Sequence, residues 1–156
     1  MPRGAALPCP LAQVRRPISL RMRMVESQPV VQALGIGGLF FRSKDPERLA
    51  QWYRSTFGII PPGNGPPWHT QAGYTVFSPF EASTDYFGSP RQGHMVNFRI
   101  ADLDAAVSAL ARAGVPLVKP IEEMEGIGRF AWVEDPEGNR IELWQPTGAA
   151  VDDPAP

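Results

Sequence analysis

The sequence predicts an α+β fold made of two tandem copies of one unit, and three observations predict it. The segments "LFFRSKDPERLAQWYRSTFGI" and "MVNFRIADLDAAVSALARAGV" match in pattern when set 57 residues apart: Phe41 falls on Phe98, Arg42 on Arg99, Asp45 on Asp102, Val76 on Val133, Pro79 on Pro136 and Asp85 on Glu142. A shift that holds from strand to strand marks a repeated supersecondary unit. Each copy also carries one capped amphipathic helix, and each helix is preceded by one strand-like run and followed by others.

The chain has 156 residues. That suits one domain, which at this length buries about 70% of its unfolded surface without disulfides or metal staples. Net charge is −1, so bulk charge favours neither nucleic acid nor an anionic membrane. No stretch approaches 18 apolar residues, so no membrane span is expected. The single cysteine, Cys9, excludes an intrachain disulfide and fits a cytoplasmic location. Residues 1–33 carry scattered prolines and no clean period. Arg3, Arg15, Arg16, Arg21 and Arg23 all precede the first acid, Glu26. This stretch reads as a disordered extension rather than a targeting segment, because it has no secretory apolar run. The folded domain is placed at 34–146, with a second disordered stretch at 147–156.

In copy one, "GLFFRS" is the first strand. Asp45 is the helix N-cap and Pro46 the first helical residue. Leu49, Trp52, Tyr53 and Phe57 follow at helical spacing, and Gly58 ends the helix. "IIPPGNGPPWHT" is a Pro/Gly-rich loop. "GYTVFS" and "STDYFG" occupy the later strand places. In copy two, "MVNFRI" is the first strand and Asp102 caps a helix with Leu103, Ala106, Val107 and Leu110 on its apolar stripe. Gly114 and Pro116 stop it. "RFAWVE" and "RIELWQ" flank "DPEGN", whose residues have hairpin-turn chemistry.

Alternation assigns the faces. Val96, Phe98, Ile100, Ile141 and Leu143 face the helix of copy two. Met95, Asn97, Arg99, Arg140, Glu142 and Trp144 face away, as do Gly38, Phe40 and Arg42 in copy one. Large aromatics mixed with a few polar groups point to a partly enclosed ligand cavity rather than a solvated face.

"FRIADLDAAVSALARAGV" and "VEDPEGNRIELWQP" resemble the vicinal oxygen chelate superfamily, which includes glyoxalase I, extradiol dioxygenases and bleomycin-resistance proteins. The resemblance runs from about Gly35 to Pro146. It implies two βαβββ modules whose sheets wrap one cavity, and a homodimer. Metal-binding members place one ligand near the start of each first strand and one on each last strand. The matching positions here are Gly38, Met95, Asp85 and Glu142. Gly38 and Met95 are poor ligands for such cations, so Glu142 and Asp85 remain as metal candidates. His69 and His94 read as surface or core-edge histidines.

The expected function is small-molecule binding with no tightly bound cofactor and at most a weak divalent metal. Phe40, Trp132 and Trp144 are the expected apolar walls. Arg42, Asn97 and Arg99 orient a polar or anionic ligand, and Glu142 is a polar anchor or general base. The alternative is a metal-dependent lyase, isomerase or dioxygenase using Glu142 with Asp85 or a histidine. Neither nucleic acid nor membrane is an expected partner.

Overall fold

Copy two folds as its sequence pattern dictates. In the computed structural model, which describes Val31, residues 35–60 and residues 68–147, helix α1 spans Pro46–Phe57 and helix α2 spans Leu103–Arg112. Strands β1 (Val96–Arg99), β2 (Lys119–Met124), β3 (Gly128–Glu134) and β4 (Arg140–Pro146) form one open, curved four-stranded sheet in the order β1-β4-β3-β2. β1 and β4 pair in parallel; the other pairs are antiparallel. The expected extension and tail lie, apart from Val31 and Thr147, outside the described residues, as does the middle of the Pro/Gly loop.

Both helices begin where their caps predict. The Asp45 carboxylate accepts the Arg48 N–H at 3.1 Å, and the Asp102 carboxylate accepts the Ala105 N–H at 2.9 Å. Each satisfies an amide that the first helical turn leaves without a partner. Gly58, with φ of 69°, closes α1.

The core lies between α2 and one face of the sheet. Leu103 and Leu110 pack on Ala131, Val133, Ile141 and Leu143, and Trp52, Tyr53, Phe57, Phe98 and Val107 pack against that cluster. The DPEGN turn ties sheet and α1 together. Asp135, only 4% exposed, accepts the backbone N–H groups of Glu137 and Asn139 and the Tyr53 hydroxyl. The Glu137 carboxylate accepts the Ser43 hydroxyl at 2.7 Å and the backbone N–H groups of Lys44 and Asp45 at 3.0 Å. These hydrogen bonds hold its pKa below the usual carboxylate range.

Copy one departs from its expected pattern. Its helix forms, but "GYTVFS" carries no strand, and "STDYFG" is a run of turns closed by Thr84 N–H to Glu81 C=O at 3.0 Å and Gly88 N–H to Asp85 C=O at 2.9 Å. Gly73, Pro79, Gly88 and Pro90 punctuate this stretch, and turn chemistry wins over strand propensity there. The chain divides into two compact units, Met1–Arg42 and Ser43–Pro156. In the first, residues 36–42 carry neither helix nor strand, and Phe40 is 92% exposed. No described helix is long and apolar enough to cross a membrane.

Candidate functional site

Two rows of directly paired residues cross the sheet on the face turned away from α2. One runs Asn97–Glu142–Trp132–Lys119, the other Arg99–Trp144–Phe130–Glu122. Residues directly opposite one another point to the same side, so each row is a set of neighbours. A register irregularity between Lys119 and Glu122 lets both join this face of β2.

Three rings form the floor. Phe130 stacks with Trp144 (centroids 6.3 Å apart, planes 3° apart) and with Trp132 (6.2 Å, 22°). The Trp144 indole N–H donates to the Ile127 carbonyl at 3.1 Å. The Lys119 ammonium lies 3.7 Å from the centre of the Trp132 ring, a cation–π contact, while also bonding Glu122 at 2.8 Å. Trp132 is 1% exposed, and its Nε1–H is buried with no hydrogen-bond partner among the described residues.

Glu142 is the polar centre and is 5% exposed. Asn97 Nδ2 donates to Oε1 at 2.5 Å, and the Tyr86 hydroxyl donates to Oε2. Burial pushes the carboxyl above the usual carboxylate range. The bonds from Tyr86 and Asn97, the adjacent Trp132 indole and the Lys119 charge pull the other way without cancelling that shift. A buried carboxyl with donors on both oxygens can anchor a polar ligand group or take a proton.

Asn97, Glu142, Trp132 and Trp144 thus come together on the expected face. Arg99 starts on that face, but its guanidinium donates to the carbonyls of Ala72 at 3.0 Å and Gln71 at 2.5 Å rather than pairing with Glu142. The approach requires a glycine: a Cβ on Gly73 would lie 1.7 Å from Arg99 Nη1. Phe40 and Arg42 lie in the first unit and are both exposed. Asp85 sits exposed in a turn, and the residue after it, Tyr86, is the one that reaches Glu142. His69 and His94 are exposed.

Among the described residues no group of three or more His, Cys, Asp or Glu side chains is placed to hold a metal ion. Glu142 contributes a single carboxylate whose two oxygens already accept hydrogen bonds, so these residues do not fit a tight zinc or iron site. Sequence reasoning missed Tyr86 and Lys119. The 57-residue offset pointed one position short of Tyr86, and Lys119 was detectable only as the cross-strand partner of Trp132.

The family model described as Glyoxalase/Bleomycin resistance protein/Dioxygenase superfamily matches residues 35–143. Among solved structures, a member of that superfamily from Sphaerobacter thermophilus DSM 20745 is 25% identical over 65% of this chain and 88% of its own, with a TM-score of 0.42. TnmS3, an antibiotic binding protein from Streptomyces sp. CB03234, is 26% identical over 66% and 88%, with a TM-score of 0.42. TioX from Micromonospora sp. ML1 is 23% identical over 69% and 92%, with a TM-score of 0.41. No curated protein matches the chain.

Proposed function

Because the chain belongs to the Glyoxalase/Bleomycin resistance protein/Dioxygenase superfamily, we propose that it binds an aromatic small molecule on the ring-lined face of its sheet, with Glu142 as polar anchor and without a tightly held transition metal. The observation that carries this reading is the row Asn97–Glu142–Trp132–Lys119, in which a buried carboxyl and a cation flank a tryptophan. Apolar walls with a few convergent polar groups are what small-molecule sites require. The hydrogen bonds that Glu142 accepts from Tyr86 and Asn97 support its role as an anchor.

The same reading has copy one complete a second βαβββ module and the chain act as a cytoplasmic homodimer. Support for the dimer comes from the stretch bearing exposed Tyr74, Val76 and Phe77, whose apolar surface a second copy would cover.

Two measurements test the binding reading. Metal analysis of protein purified without chelator should find well under one equivalent of zinc, iron or manganese. An aromatic ligand at about 100 times its Kd should stabilise the fold by about 2.7 kcal/mol in a thermal-shift screen and change tryptophan fluorescence. About one equivalent of metal, lost in Glu142→Ala, would replace this reading with the metal-dependent lyase, isomerase or dioxygenase.

A further inference from the structure

Tyr86 belongs to neither the helices nor the sheet, yet it holds the best-furnished position on the binding face. Its hydroxyl bonds Glu142 Oε2. Its ring stands edge-on to Trp132 (6.2 Å, 86°) and stacks on Phe80 (5.5 Å, 21°), and Lys119 Nζ lies 5.8 Å from its centre. A phenol is therefore already seated there: one oxygen on a buried carboxylate, one face on a ring, one edge against an indole, and a cation nearby. The element that carries it is a string of short-range turns over residues 81–91, closed by hydrogen bonds that span three residues. Just beyond it, Gln92 is fixed to β4 at both ends of its amide, accepting from Arg140 N–H at 2.7 Å and donating to the Arg140 carbonyl at 2.8 Å.

We infer that Tyr86 is a built-in occupant of the ligand site, and that the natural ligand presents a hydroxyl-bearing aromatic ring which takes its place. The inference rests on the proposed binding function and names its ligand class. Three features fit exchange rather than a fixed core contact. The turns are closed by short-range hydrogen bonds, and the Tyr86 carbonyl accepts a long one from Arg140 at 3.4 Å, while Gln92 anchors the chain to β4. The Glu142 acceptor and the Lys119 cation suit any hydroxyarene as well as they suit tyrosine. The buried Trp132 Nε1–H, without a partner among the described residues, is a donor that Tyr86 leaves unused and that a ligand with a second oxygen would satisfy.

The test is calorimetric titration of the full chain with p-cresol and with its methyl ether, p-methylanisole, which cannot donate to Glu142. If the internal tyrosine occupies the site roughly ten times as often as not, removing it tightens p-cresol binding about tenfold. Tyr86→Ala is expected to show that gain. Tyr86→Phe, which keeps the ring and loses only the bond to Glu142, should show a smaller gain in the same direction and guards against a folding defect in the alanine variant. Both should prefer p-cresol to the ether, and Glu142→Leu should abolish the preference. Equal p-cresol affinity in wild type and Tyr86→Phe, or no preference for the phenol in either Tyr86 variant, would overturn the inference. If other aromatic ligands still bind and perturb tryptophan fluorescence, the binding function survives that result. If no aromatic compound binds to wild type or variants, both fall.

Discussion

The two copies share a pattern and part company in outcome. Copy two places strands, helix and hairpin around one core, with Leu103, Ile141, Leu143 and Val133 at or below 1% exposure. Copy one, with equivalent residues at a constant offset, yields one helix and otherwise loops and turns, and its Phe77 is 89% exposed. The difference lies in the connections. The last two strands of copy two are joined by a five-residue turn whose own side chain, Asp135, closes it. Such local closure costs little chain entropy. Copy one interposes a Pro/Gly-rich loop and several turn-forming residues between its strand-like runs. Strand propensity has meaning only where a partner is within reach.

The largest effect should come from the core of copy two. Leu143→Ala is expected to cost about 3 kcal/mol, because it leaves a cavity where the strand packs against α2. Truncating an exposed ring of copy one, Phe77→Ala, should stay within about 0.5 kcal/mol in the monomer, as for a surface change. Chemical denaturation measures both; a large loss at Phe77 would show that copy one is packed and would break the contrast.

The acidic pair at matching positions gives the next test. Glu142 binds its proton more tightly in the folded chain than in the unfolded one, because burial raises its pKa. Its contribution to stability is therefore fully present below the unfolded glutamate pKa and is lost as pH rises through the raised folded value. Glu142→Gln should remove that decline, so the difference between variant and wild type grows with pH. Asp85→Asn, on an exposed turn, should change stability by no more than about 0.5 kcal/mol. A wild-type-minus-Gln difference that does not vary with pH would mean that Glu142 binds its proton equally well in the folded and the unfolded chain.

The smallest effect concerns what the copies have in common. Asp45→Ala and Asp102→Ala each remove a cap bond to an amide of the first helical turn, and each should cost about 1 kcal/mol. Unequal losses would show that one helix depends on its surroundings rather than on its cap.

What could be read from the sequence follows the same division. Both helices were legible because Asp45-Pro46 and Asp102 are local signals that act within one turn. The DPEGN hairpin was legible for the same reason. The ring-bearing face followed from strand alternation, which needs no knowledge of the partner strand, and it placed Asn97, Glu142 and Trp144 together. The later strand places of copy one carry no strand among the described residues, since a strand-like run does not by itself specify its partner. The fate of Arg99 was hidden because it bonds backbone carbonyls, which leave no trace in residue type. Tyr86 was missed because the 57-residue offset from Glu142 lands on Asp85, one position short of it.

The carboxylate of Glu137 gives the hairpin a second property. Hairpin tips are usually where a protein tolerates added length. Here the tip side chain grips the backbone N–H of Lys44, 93 residues earlier in the chain, and that of Asp45, the residue that opens α1. One residue inserted between Asp135 and Asn139 would move Glu137 off those amides. The turn is a fixed-length gauge: it can be lengthened only at the expense of the start of a distant helix.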